Sequence, residues 1–146
     1  MLNEKLFHRT IGILVKAYQN ETLQHSRCAA CAVGNLILGV HNLKHGANLN
    51  WNFNLQYSIS EMGDRSWYGI IRSDIETHHA YENTYMAKTG YAIVELRKIE
   101  NAFENSYVGC DEDGFYGLMS VVDTLMLIHE ANEIEVEQAK AQFVKI

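Results

Sequence analysis

From Cys28 to Val40 the chain carries no charged residue, and nearly every position is small or apolar: Cys28, Ala29, Ala30, Cys31, Ala32 and Val33, then Leu36, Ile37 and Leu38. A helix that is apolar on every side has no face to give to water, so other elements must surround it. The uncharged stretch continues to Leu43 but includes Gly34, Asn35, Gly39 and Asn42. At 16 residues it is also shorter than the ~20 that a membrane-crossing helix needs. The segment therefore predicts a buried central helix over about 27–40, and the rest of the chain must supply its walls.

Those walls read mostly as amphipathic helices. Leu6, Ile13, Leu14 and Ala17 lie near helical spacing behind Asn3, a residue type that caps helix starts, and predict a first helix over 3–20. Ser73-Asp74-Ile75-Glu76 has the spacing of a capping box and opens a third helix, to about residue 86. Beyond a break at Thr89-Gly90, one fourth-helix face carries Ile93, Leu96, Ile99 and Phe103. A fifth helix has Leu118, Val122, Leu125 and Met126 inward, and Asn132-Glu133-Ile134-Glu135 caps a last short one ending near Val144. The exception is Trp51, Phe53, Leu55, Tyr57 and Ile59, which alternate with polar residues at strict period two, the pattern of a strand with one buried face. With a turn at 61–65 and a returning partner at 67–71, this predicts a small β-hairpin. The expected fold is mainly α, one compact helical domain over 1–146 with about five or six helices and that hairpin. With no proline anywhere, the helices lack their commonest breaker.

Charge narrows the partners. Residues 1–90 carry eight Lys/Arg against seven Asp/Glu, whereas residues 91–146 carry four against eleven. An acidic half repels phosphate backbones, so no nucleic-acid partner is expected. No membrane partner is expected either, because no segment is long and apolar enough. The run at Ile11–Val15 is too short for a secretory signal. Together with three cysteines, an odd number, this places the chain in a reducing compartment, the cytoplasm.

The sharpest chemical feature is Cys28-Ala29-Ala30-Cys31. Two thiols at i and i+3 on a helix start face the same side, and the positive end of the helix favours thiolate. Three readings stay open: small buried core residues, a redox pair, or half of a zinc site. Zinc needs four ligands, and the remaining candidates are Cys110 and His25. The acidic Asp111-Glu112-Asp113-Gly114 lies between two helices like a calcium loop. With Gly114 at the sixth position, however, Ser120 stands where a bidentate Glu is required. It reads instead as an acidic surface loop. Asp74, His78 and Glu82, and likewise His41 and His45, recur at helical spacing, as an exposed face or a metal stripe does. No nucleophile elbow, phosphate loop, dinucleotide fingerprint or His-Glu-x-x-His appears, and nothing singles out a carboxylate pair for acid–base work.

Four patches occur in order: Asn20-x-Thr22-Leu23; Cys28-x-x-Cys31-Ala32-Val33-Gly34-Asn35; Gly90-Tyr91 with Glu95-Leu96-x-x-Ile99-Glu100-x-x-Phe103; and Phe115-x-Gly117-Leu118-x-x-Val121-Val122-x-x-Leu125. Together they resemble a family of small uncharacterised proteins from Bacteroidetes and their tailed phages. Members often carry the label of the flavin-bearing component of a sodium-translocating NADH-quinone reductase. That label does not suit this chain, because the genuine component is a longer, membrane-anchored flavoprotein needing a four-cysteine iron–sulfur motif. The resemblance implies a small cytosolic accessory protein of the phage type, and it draws attention to Cys28 and Cys31. The function expected from the sequence is binding without catalysis, to a protein partner, to a second copy or to a small molecule, and with no cofactor. Arg65, Arg72 and nearby aromatics offer one local site for a ligand such as a signalling nucleotide. The alternative is a zinc module or thiol redox protein built on Cys28, Cys31, Cys110 and His25.

Overall fold

The computed structural model describes residues 3–25, 31–42, 48–50, 56–58, 85–105 and 111–146. Asn3 opens α1 (Glu4–Gln19), its side-chain oxygen accepting from the Leu6 amide at 3.2 Å. Along α1 the buried positions Phe7, Thr10, Ile11, Leu14, Ala17 and Tyr18 recur every three or four residues, so a single stripe faces the interior. Helix α2 (Ala32–Val40) is the expected central helix, with every residue from Ala32 to Leu38 buried. Its start differs from the expectation near residue 27. Cys31 has an extended backbone (φ −75°, ψ −179°) and caps the helix, its Sγ accepting from the Gly34 amide at 3.4 Å. An unbroken apolar composition marks burial, and it does not mark the residue at which the backbone turns helical.

Two short strands, β1 (Asn48–Asn50) and β2 (Gln56–Ser58), pair antiparallel with Leu49 opposite Tyr57. The hairpin expected from the alternation is not borne out. The alternation predicts one strand over 51–59 that returns through a turn at 61–65, whereas the pairing places β2 against residues that precede that run. Period two specifies which side chains share a face and leaves the partner open. The expected return strand at 67–71 lies outside the described residues, as does most of the expected third helix. Of its expected span the described residues are Tyr85 and Met86, which begin a 3-10 helix, Tyr85–Thr89.

The second half of the chain follows its periodicity closely. Helix α3 (Ile93–Asn105) buries Leu96, Ile99 and Phe103, and Glu95 reaches back to accept from the Ala92 amide at 2.8 Å. Helix α4 (Phe115–His129) buries Leu118, Val121, Val122 and Leu125. Phe103 and the inward residues of α4 are fully shielded, and each such side chain contributes about 1.5–3 kcal/mol relative to exposure. The two helices meet tightly at Gly117, where a Cβ would stand 2.6 Å from Phe103 Cδ1 and 2.9 Å from the Phe103 carbonyl oxygen. After a turn at Glu130, Asn132 caps α5 (Glu133–Lys140) by accepting from the Glu135 amide at 2.9 Å. This helix stops four residues short of the expected end. The chain then turns to bury Phe143, and the Lys145 ammonium donates to the Tyr18 carbonyl at 2.8 Å. The fold is mainly α, and among the described residues no helix is long and apolar enough to cross a membrane.

Candidate functional site

A cluster of charged and polar groups forms where α4 begins. Gly114 adopts a left-handed conformation (φ 78°), which folds the preceding acidic loop back over the helix start. Asp111 Oδ1 accepts from the Tyr116 amide at 3.0 Å, while Oδ2 accepts from the Gly117 amide at 3.0 Å and from His25 Nε2 at 2.6 Å. Asp113 accepts from the Phe115 amide at 3.1 Å. Burial pushes the Asp111 carboxyl up, but the bonds from His25 and from the two helix amides outweigh that penalty and hold it below its ordinary value. His25 lies flat against Phe103, ring centroids 4.3 Å apart, with its Nδ1 3.4 Å from Glu104. The expectation of an acidic surface loop is thus corrected at Asp111, which is 5% exposed. Its oxygens are consumed by a helix start and an imidazole, which leaves the loop to cap α4.

A second buried polar chain crosses the domain. Tyr91 OH lies 2.8 Å from Thr10 Oγ1 and 2.7 Å from His129 Nε2, which joins α1, the segment before α3, and the end of α4. Burial raises the Tyr91 phenol to about 12. His129 is held edge-on by Phe7 and Tyr91, with centroids 5.5 and 5.4 Å away. Fully buried hydrogen-bonded groups of this kind fix packing, and both clusters read as structural.

A concave site lies between α1 and α2. Arg9, Gly12, Ile13, Lys16, Ala17 and Asn20 recur at helical spacing and line one wall. Asn35, Leu38, Gly39 and Asn42 line the other, and Thr22 closes one end. The groove holds about 680 Å³, within the roughly 300–1,000 Å³ of small-molecule sites. Two glycines shape it. At Gly39 a Cβ would meet Ile13 Cγ2 at 2.5 Å, so the helices touch there, whereas a Cβ on Gly12 meets nothing within 4 Å. Its polar groups are set in place. Asn35 donates to the carbonyls of Thr22 and Cys31, both at 3.0 Å, and the Thr22 hydroxyl donates to Asn35 Oδ1 at 2.7 Å. Arg9 donates to the carbonyls of Lys88 and Thr89 at 3.1 and 2.9 Å. Lys16 is exposed and makes no ion pair among the described residues.

Of the residues singled out in the sequence, Cys31 is buried at the start of α2 and His25 packs on α3. Cys28 and Cys110 lie outside the described residues, as do Arg65, Arg72, His45 and the Asp74, His78, Glu82 series. Sequence reasoning missed the groove altogether. The usable signal is a pair of helix faces with a glycine on each, and one of those faces, on α2, reads from the sequence as plain core. Compared with known proteins, the chain matches no family model, no curated protein and no solved structure.

Proposed function

We propose that the protein acts by binding without catalysis, as a small accessory protein that holds a polar, anionic small molecule in the α1–α2 groove. One observation carries this reading. Among the described residues the groove lining contains two cations, Arg9 and Lys16, and no carboxylate, in a chain with 18 acidic residues against 12 basic ones. Asn20, Thr22, Asn35 and Asn42 add amides and a hydroxyl for orientation, and Ile13 and Leu38 give an apolar strip against which a ring or short alkyl part packs. No nucleophile stands beside a general base in the described lining, so binding is the chemistry these groups support.

The test is a thermal-shift and amide-NMR screen with nucleotides, sugar phosphates and dicarboxylates, repeated on Lys16→Glu. The expected result is that anionic compounds raise Tm, perturb amides of residues 9–20 and 35–42, and lose most of their effect in the variant and at high salt. If anions perturb neither segment, or shift Lys16→Glu as strongly as the native chain, the groove is not the site.

A further inference from the structure

Away from the groove, the start of α5 brings a side chain near the start of α1, and we propose that Glu4, His8 and Glu135 there form a binding site for a zinc-like divalent transition metal. Glu4 and His8 are one helical turn apart on the same face of α1, with Glu4 Oε1 3.6 Å from His8 Nε2. Helix α5 brings in Glu135, and one ligand atom from each of the three residues lies within 4.8 Å of the others.

Among the described residues, neither glutamate side chain is spent on the backbone. Asn3 caps α1 and Asn132 caps α5, each through its own side-chain oxygen. A first-turn carboxylate is favoured singly by the positive end of its helix. What the packing of α5 adds is a second carboxylate against the same imidazole. Among the described residues, no Lys or Arg forms an ion pair with either glutamate. The cluster therefore brings two carboxylates and an imidazole together with no Lys or Arg paired to the carboxylates among the described residues.

The donor set selects the ion. One imidazole nitrogen with two carboxylate oxygens suits zinc and its neighbours, whereas calcium takes six or more oxygens and magnesium near-ideal octahedral oxygen coordination. Bonds of roughly 2.0–2.2 Å place donor atoms about 3–3.5 Å apart. Glu4 and His8, 67% and 58% exposed at their side chains, reach that spacing by side-chain rotation alone. Three protein ligands leave a fourth position for water. Bound there, the ion ties the last helix to the first.

The experiment is calorimetric titration of the chelator-treated full chain with zinc chloride, with magnesium as the control. One equivalent of zinc should bind with micromolar affinity. At a zinc concentration a hundredfold above Kd it should raise Tm by roughly 5 °C or more, and magnesium should do neither. His8→Ala should abolish binding, and Glu135→Gln should weaken it at least about tenfold, with unchanged circular dichroism in both. Cobalt(II) reports the donors: the site gives weak visible bands without the near-ultraviolet thiolate band that cysteine ligation produces. Zinc that binds His8→Ala as it binds the native chain, a thiolate band, or no binding below millimolar zinc would each overturn the proposal.

Discussion

Replacing Asp111 by alanine removes the acceptor for three donors at once: His25 Nε2 and the amides of Tyr116 and Gly117. Loss of a helix N-terminal cap costs roughly 0.5–2 kcal/mol, and a buried donor left unsatisfied costs roughly 1–3 kcal/mol. Because the two amides and the imidazole share one carboxylate, these losses overlap, and the expected total is about 3–4 kcal/mol. Urea unfolding at pH 7, with an unchanged slope, reads that value directly. In a thermal melt it corresponds to a drop on the order of 10 °C. Asp111→Asn then separates charge from shape. The folded carboxyl lies below its ordinary value of 3.8, so its contribution is complete at neutral pH, persists above 3.8, and is lost as pH falls through the lower folded value. The stability gap between the native chain and Asp111→Asn should accordingly close in that acid range. An alanine variant that costs less than about 1 kcal/mol, or a gap that stays constant into strong acid, would show that Asp111 does not hold the start of α4.

Gly117→Ala should cost about 1–3 kcal/mol by unfolding measurement, because the new Cβ meets a backbone oxygen that cannot swing aside; a neutral result means that α3 and α4 are spaced more loosely. Tyr91→Phe should cost roughly 1–3 kcal/mol through the lost contacts to Thr10 and His129. In the native chain the Tyr91 phenol, raised to about 12 from 10.0, contributes stability that is complete below pH 10.0 and lost as pH climbs towards about 12. Ultraviolet titration of phenolate absorbance should therefore show a late-ionising step that Tyr91→Phe removes, and a titration unchanged by that substitution would refute the burial. Cys31→Ala should lose about 1–2 kcal/mol through its volume and the Gly34 cap contact, and Cys31→Ser should recover part of that in the same assay.

Helix faces were legible because burial repeats with the turn of the helix. Leu96, Ile99 and Phe103, like Leu118, Val122 and Leu125, are inward as spaced. The start of α2 was not, since residues on both sides of Cys31 are equally apolar and a sulfur cap is a weak signal. Asp111 was misread for a different reason. Its burial depends on His25, 86 residues away in sequence, and no local pattern reports such a neighbour. The nearer clue was an aspartate just ahead of a glycine and an apolar run, which suits a helix cap as well as a surface loop. The Glu4, His8 and Glu135 cluster is half legible: spacing pairs the first two, and only the packing of α5 supplies the third. The same holds for the groove, whose α1 wall is visible as a face while its depth depends on how closely Gly39 admits Ile13.

The bond from Lys145 to the Tyr18 carbonyl spans 127 residues of sequence, and that span sets a timetable for a ribosome. At roughly 5–20 residues per second, about 6–25 s separate the synthesis of Tyr18 from that of the residue that holds it. During that interval α1 carries the apolar row of Phe7, Ile11, Leu14 and Tyr18, while its partners in α4 and the turn at Phe143 do not yet exist. Helix formation is faster by many orders of magnitude, so the wait is set by translation alone. Until the residues through Phe143 have been made, a nascent chain of this protein therefore lacks part of the cover for that row, and α2 is the neighbour that arrives first.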